Sequence, residues 1–255
     1  MVGAPVYPVA LVVEGRPCLV VGAGAVAARK VTGLATCGAE VTVVAPVVGD
    51  GVAALVSSHG GTGPGTVRVE QRHYRAGEAA RFRLVITATG LPDVDRAVAR
   101  DAELAGVWVN SADDPDGCSF LLPAVHREGP VVVAVSTGGA SPALATWLRD
   151  RVADLVGPET STVAELLRRV RHDLRAVGRS TEGVDWRKFL DGGIATLVRD
   201  GRTSEATATL RRAVGLDGHS GGARGGTGPP RAEARPGRAT VPRGHVPVPS
   251  SVPQA

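Results

Sequence analysis

The feature that most constrains this fold is a glycine-rich turn between a short apolar stretch and a helical pattern. Residues 17–21 form the apolar stretch, residues 22–27 read Gly-Ala-Gly-Ala-Val-Ala, and the helical pattern ends at Gly38. A second strand is predicted at residues 40–44. This order of strand, glycine turn, helix and strand is typical of a dinucleotide-binding unit. Because the chain has 34 glycines, such a string could occur by chance, and its position between a strand and a helix is the stronger evidence.

Further strands are predicted at 67–70, 84–88, 107–110 and 131–135, with a helix at 92–105. Their apolar runs are nearly continuous, which is typical of a parallel sheet covered on both faces. The sequence therefore predicts an α/β, Rossmann-like domain.

Helices are predicted after Gly139. Ser141 and Pro142 suit the first two positions of one helix, and a second is predicted at 161–177 with Thr162 and Glu165 as a capping box and Val177 on its apolar face. Shorter helices are predicted at 186–190 and 204–214.

Residues 218–255 have a different composition. They contain five arginines and one glutamate, a net charge of +4 that equals the net charge of the whole chain. Their large aliphatic residues are too few to bury much surface, so we predict a disordered Gly/Pro/Arg-rich tail. Because the basic charge lies in this tail, we expect no nucleic-acid partner for the folded part.

The three cysteines, Cys18, Cys37 and Cys118, are scattered and form no C-x-x-C pair. This spacing excludes a disulfide framework and a recognisable zinc site, and it favours a reducing cytoplasmic location. The six histidines show no paired spacing, so no resident metal is expected. No secretory signal is visible, and no apolar run reaches the roughly 20 residues needed to span a bilayer, so we expect no membrane partner.

The glycine turn suggests how a dinucleotide would bind. Gly22 permits the sharp bend, Gly24 lets the backbone approach a pyrophosphate, and the first amides of the helix can bind the phosphates. The acid that usually holds the ribose diol is missing, because the second strand is followed by Ala45, Pro46 and Val47. The backbone at Pro46 and Val47 would then hold the ribose. No arginine follows before Arg68, which favours NAD over NADP.

Two other enzyme or regulatory classes fit poorly. A nucleotide-sensing module that gates ion transporters normally keeps the missing acid. A short-chain reductase needs a Tyr-x-x-x-Lys pair, and neither Tyr7 nor Tyr74 has a lysine four residues later.

Residues 110–120 place three carboxylates, Asp113, Asp114 and Asp116, after a predicted strand. The carboxyl ends of strands are where open α/β sheets bind ligands. Asp-Pro-Asp-Gly is also an ordinary turn string, in which an aspartate bonds its own backbone. Spacing alone therefore leaves both a catalytic base and a structural turn open.

Together these motifs resemble the precorrin-2 dehydrogenase family, which includes the amino-terminal half of siroheme synthase. The resemblance covers about residues 5–190. The motifs that carry it are Tyr-Pro at 7–8, the stretch 19–27 with Arg29-Lys30, Val-Thr-Val-Val-Ala-Pro at 41–46, Asn-Ser-Ala-Asp at 110–113 with Ser119-Phe120, and residues 134–145.

The resemblance implies NAD-dependent oxidation of precorrin-2 to sirohydrochlorin, in some members followed by insertion of Fe²⁺ as a substrate. It implies that Asp113 is catalytic, and that Ala25, Val26, Pro46 and Val47 contact NAD. Ser136 matches a serine beside the tetrapyrrole site, and Thr137 stands where some relatives have a second serine. The Asp114–Gly117 string departs from the commoner family strings.

The resemblance also implies a homodimer formed through the region after the nucleotide domain. The expected organisation is an NAD-binding domain at 1–113, a dimerisation and helical substrate region at 114–217, and the tail at 218–255.

A tetrapyrrole substrate carries many carboxylates, so its pocket should offer positive charge and helix amino ends. The polar loop from Ser136 through Thr137 and Gly138 to Ser141 opens onto a helix and is the better carboxylate cradle. A stripe formed by Arg168, Arg171 and Arg175 is the other candidate, although it also fits a solvated helix face. The remaining alternative function is a catalytically silent dinucleotide-binding regulatory module.

Overall fold

A computed structural model describes residues 5–217 of the chain. Five strands form one parallel sheet: β1 (Pro17–Val21), β2 (Glu40–Val44), β3 (Val67–Glu70), β4 (Leu84–Thr87) and β5 (Trp108–Ser111). Their spatial order is β3-β2-β1-β4-β5. The predicted α/β Rossmann-like fold is therefore confirmed. Residues 1–4 and the tail predicted at 218–255 lie outside the described residues.

Alternate residues of the central strand β1 face opposite layers of helices. Cys18 and Val20 pack with buried residues of α1 (Ala25–Thr36) and α2 (Asp50–His59). Leu19 and Val21 pack with α3 (Pro92–Leu104). Burial on both faces explains the nearly continuous apolar runs of these strands.

The strand order reverses its direction between β1 and β4. From β1 the chain proceeds outward to β2 and β3, and it then returns to place β4 on the other side of β1. The crevice above the carboxyl ends at such a reversal is where open α/β sheets bind ligands. The loops that follow β1, β4 and β5 therefore surround the site of interest.

The strand predicted at 131–135 forms, but its assignment to the parallel sheet was wrong. It is β7 (Val131–Val135), which pairs antiparallel with β6 (Ala124–Glu128) in a separate two-stranded sheet. Gly129 and Pro130 join the two strands, and Gly129 adopts a φ of 54°. Such a short connection suits a hairpin, whereas parallel strands need a longer crossover.

The remaining described chain is helical: α4 (Pro142–Ala153), α5 (Glu159–Ala176), α6 (Trp186–Asp191), α7 (Ile194–Arg199) and α8 (Thr203–Ala213). Helices α5, α7 and α8 share a buried cluster that includes Leu174 and Leu210. The predicted cap of α4 is confirmed, because the Ser141 hydroxyl accepts a hydrogen bond from the Leu144 amide at 3.1 Å.

The capping box predicted at Thr162 and Glu165 was wrong. Helix α5 begins at Glu159, after Pro158, and no side chain caps it. Glu165 instead pairs with Arg168 and Arg169 on the exposed face. Val177, predicted on the apolar face, follows the end of the helix and is 60% exposed. Among the described residues, no helix is long and apolar enough to cross a membrane.

Candidate active site

Gly22 forms the floor of the glycine turn directly after β1. Its φ is 109°, in the region that favours glycine, and a Cβ atom there would lie 2.3 Å from the Ala88 carbonyl oxygen. Ala88 follows β4, and its amide donates to the Val21 carbonyl at 2.8 Å. Gly22 is therefore required by the close approach of the β4 loop, in addition to the bend that the sequence predicted.

Gly24 occupies the N-cap position of α1 and is exposed. A Cβ atom on Gly24 would meet no protein atom within 4 Å, and no side chain caps the helix. Ala25 and Val26, the first residues of α1, are also exposed. The first amides of a helix have no intrahelical partner, so this end of α1 offers donors and open space for a pyrophosphate. The residues present therefore fit a bound dinucleotide.

The loop after β2 returns to the glycine turn. Pro46 and Val47 are exposed, and the Gln71 side-chain amide donates to the Pro46 carbonyl at 3.3 Å. The Gly49 amide donates to the Ala23 carbonyl at 3.1 Å, and a Cβ on Gly49 would lie 2.8 Å from that oxygen. Sequence reasoning missed Gly49 and Gln71. The Gly-Asp-Gly string at 49–51, at the start of α2, is the local signal for the first of them.

The segment after β5 folds back on its own strand. The buried Asn110 side chain donates to the Phe120 carbonyl at 3.0 Å. The Val109 amide donates to the Ser119 hydroxyl at 2.7 Å. The Cys118 thiol lies 3.3 Å from the Ser111 carbonyl, and burial raises the pKa of this thiol. Cys118 is thus a buried packing residue, and these contacts hold the segment at the carboxyl edge of the sheet.

The three carboxylates of this segment have different surroundings. The Asp114 side chain accepts hydrogen bonds from the amides of Asp116 and Gly117 at 3.1 and 3.3 Å, as expected for a turn aspartate. Asp113 is exposed, and its carboxylate has no hydrogen-bond or ion-pair partner in the described part of the chain. Of Asp113 and Asp114, only Asp113 is free to act as a base.

The loop between β7 and α4 gathers the predicted substrate residues. The Ser136 hydroxyl accepts from the Gly138 amide at 3.2 Å, and the Thr137 hydroxyl accepts from the Ser141 amide at 3.0 Å. Gly138 and Gly139 adopt positive φ values of 61° and 85°. The loop is thus a folded, polar turn at the amino end of α4. Within residues 5–217, no hydrogen bond joins this loop to Asp113.

Two further observations bear on positive charge and metals. Lys30 on α1 is half-buried. Burial lowers the pKa of its ammonium group, and the nearby Arg29 guanidinium lowers it further. Arg168, a candidate for substrate binding, is paired with Glu165 at 2.7 Å. The described residues contain no group of three or more His, Cys, Asp or Glu side chains that could hold a metal ion.

Two family models match successive parts of the described chain. A family model described as putative NAD(P)-binding matches residues 9–124. A second model, described as sirohaem biosynthesis protein central, matches residues 128–155. The first match supports the use of NAD that the glycine turn predicted.

Curated relatives match over most of the chain. The siroheme synthases of Methylococcus capsulatus and Nitrosococcus oceani are each 36% identical over 209 residues, which cover 81% of this chain and 43% of each relative. The chain thus spans less than half the length of these relatives. A solved structure of SirC, a precorrin-2 dehydrogenase, covers 83% of this chain and 98% of its own, with a TM-score of 0.57 and 22% identity. This likeness supports the fold.

Proposed function

The chain is a relative of the siroheme synthases, as its motifs predicted, and we propose that it catalyses the NAD-dependent dehydrogenation of precorrin-2 to sirohydrochlorin. The observation that carries the proposal is the placement of Asp113. Its carboxylate is exposed and has no partner among residues 5–217, and it follows β5 at the carboxyl edge of a sheet whose glycine turn fits a dinucleotide. A base and a cofactor site at one sheet edge suit an oxidation that releases a proton.

The cofactor would be held by backbone groups around two strand ends. The amides at the start of α1 would bind the pyrophosphate, and the loop after β2 would hold the adenosine ribose. The residues assigned to this role are Gly22, Gly24, Ala25, Val26, Pro46 and Val47. Bound NAD would supply the hydride acceptor.

Besides the cofactor, the reaction needs only one catalytic group from the protein. A C–H bond of precorrin-2 breaks with its electron pair, which leaves as hydride, and a second hydrogen leaves as a proton. Asp113 accepts that proton, and the new double bond extends the conjugation of the macrocycle. Because conjugation drives the product forward, one correctly placed carboxylate is sufficient.

We assign the substrate carboxylates to the loop at the amino end of α4. Ser136, Thr137, Gly138 and Ser141 form a polar turn there, and the amino end of a helix favours negative charge. Arg168 is less suitable, because its guanidinium already pairs with Glu165.

Insertion of Fe²⁺ into sirohydrochlorin is a second candidate activity. It needs a base that accepts the pyrrole protons, and the exposed Asp113 carboxylate is such a group. The iron would be a substrate of this reaction and not a resident cofactor. The three free cysteines favour a reducing, cytoplasmic setting for this chemistry.

Replacement of Asp113 by Asn tests the proposed role of this base. Asp113→Asn keeps the shape of the side chain but removes the basic carboxylate, so we expect precorrin-2 turnover to fall by about two to four orders of magnitude. Binding of NAD, measured by calorimetry, should be unchanged because the glycine turn is untouched.

Asp116→Asn is the matched control, since Asp116 is exposed on the same segment, and it should retain turnover. Normal turnover in Asp113→Asn would remove Asp113 from the mechanism. Wild-type protein that binds NAD but never turns over precorrin-2 would favour a silent dinucleotide-binding module.

A further inference from the structure

Asp95 is a buried carboxylate to which the proposed mechanism assigns no role. It lies in the first turn of α3 and is only 3% exposed. No cation pairs with it among the described residues. Burial of a carboxylate is unfavourable unless hydrogen bonds replace its hydration, so the contacts that hold Asp95 are informative.

The donors to Asp95 come from Thr87, the last residue of β4, and from Thr89 in the loop between β4 and α3. One carboxylate oxygen, Oδ1, accepts from the Thr87 hydroxyl, from the Thr89 hydroxyl at 2.7 Å and from the Thr89 amide at 3.3 Å. The Thr89 hydroxyl in turn accepts from the Leu91 amide at 3.0 Å. A hydroxyl has one hydrogen to donate, so the nearer, anionic Asp95 oxygen takes it in preference to the Leu91 carbonyl at 3.3 Å.

This loop lies between the two parts of the proposed active site. On one side, the Ala88 amide donates to the Val21 carbonyl, and the Ala88 carbonyl lies against Gly22. On the other side, the Ala112 amide donates to the Thr87 carbonyl at 2.9 Å, next to Asp113. The position of residues 87–91 therefore sets the spacing between the glycine turn and the segment that carries the base.

We propose that Asp95 is a positioning residue for the cofactor cleft. Through Thr87 and Thr89 it ties residues 87–91 to the rigid first turn of α3, and this keeps the crevice at the reversal of strand order in the shape that NAD requires. The inference rests on the proposed NAD binding. It assigns Asp95 no contact with substrate or cofactor.

The donors to Asp95 are hydroxyl and amide groups, which an amide oxygen can also accept. Asp95→Asn should therefore preserve the loop, whereas Asp95→Ala should release it. Thr89→Val keeps the side-chain volume and removes only the hydroxyl that links Asp95 to Leu91. Asp93→Ala is the matched control, because Asp93 lies in the same helical turn but has a 96% exposed side chain that pairs with Arg96.

Three measurements on the full chain test the proposal: amide hydrogen exchange of residues 87–91 without NAD, the dissociation constant for NAD by calorimetry, and the melting temperature. We expect Asp95→Ala and Thr89→Val to exchange these amides about tenfold faster and to bind NAD about tenfold more weakly. Asp95→Asn should stay within about threefold of wild type in both, and Asp93→Ala should match wild type.

A purely structural role would lower the melting temperature of Asp95→Ala while folded protein still bound NAD normally, and that result would overturn the proposal. If Asp95→Ala does not fold, Thr89→Val decides between the same two results. Wild-type protein that fails to bind NAD would instead contradict the proposed function. The exchange measurement distinguishes the two failures, because it needs no cofactor.

Discussion

Gly22 and Gly24 are two residues apart and meet different constraints. Gly22 is confined by the Ala88 backbone and by its positive φ, whereas Gly24 faces open space at the start of α1. The sequence motif predicted both glycines, because their spacing follows from the turn itself. It did not predict Gly49, because its partner Ala23 becomes a neighbour only after the sheet has formed. It did not predict Asp95 either, because an aspartate in the first turn of a helix is usually exposed, and only the fold shows that this one is buried.

The contrast between the two glycines yields a paired prediction. Gly24→Val places a side chain where a pyrophosphate would lie, so NAD binding should weaken by at least about a hundredfold while the fold survives. Gly22→Val forces a branched side chain into the Ala88 carbonyl, and the free energy of unfolding should fall by more than about 4 kcal/mol.

Calorimetric titration and chemical denaturation of both variants separate the two effects. If Gly24→Val binds NAD as tightly as wild type, the glycine turn is not the cofactor site.

Asp113 and Asp114 show where residue-level prediction reaches its limit. The sequence places both after β5 and cannot say which one bonds its own backbone. The folded segment resolves this, since Asp114 caps the short turn at Pro115–Gly117 and Asp113 is left without a partner in the described chain.

At the scale of elements, most segments with a clear apolar pattern were predicted to within one or two residues, including the short strands β2 and β3. Helix α3 was predicted at 92–105 and spans Pro92–Leu104. Helix α2 and strand β6 were not predicted, because α2 is rich in small residues and β6 contains His126, Arg127 and Glu128. Strand β7 was assigned to the wrong sheet, since a run of valines does not reveal its pairing partner.

Helix α4 and the hairpin β6–β7 expose several large apolar side chains. Val132 is 48% exposed, Leu144 47% and Trp147 54%. The family resemblance implies a homodimer, so a second copy of the chain is the expected partner that covers them. We therefore propose a homodimer formed through these elements.

Substitution of Trp147 tests the proposed dimer. Trp147→Glu places a charge in the apolar interface, so we expect the dissociation constant of the dimer to rise by more than about tenfold. Leu104→Glu is the control, because Leu104 is 82% exposed at the end of α3, away from these elements in sequence. Analytical ultracentrifugation of both variants gives the result. A wild-type protein that is monomeric at all concentrations would contradict the proposal.

At the scale of the whole molecule, the sheet order brings together elements that are distant in sequence. The glycine turn after β1 and Asp113 after β5 lie at the same edge of the sheet because these strands are parallel, and only β4 separates them. The sequence predicted parallel strands but not their order, which depends on contacts between distant segments. The reaction and its substrate were predicted from the family resemblance, because neither the hydrophobic pattern nor the sheet topology identifies them.

The most direct test of the account is an anaerobic reaction of the purified chain with precorrin-2 and NAD. Exclusion of air prevents spontaneous oxidation of the substrate, so each precorrin-2 that becomes sirohydrochlorin must have passed a hydride to NAD. We predict that NADH and sirohydrochlorin, both measured by absorbance, appear in equal amounts and only when protein is present. Sirohydrochlorin without NADH, or no product while NAD is bound, would contradict the proposed dehydrogenase.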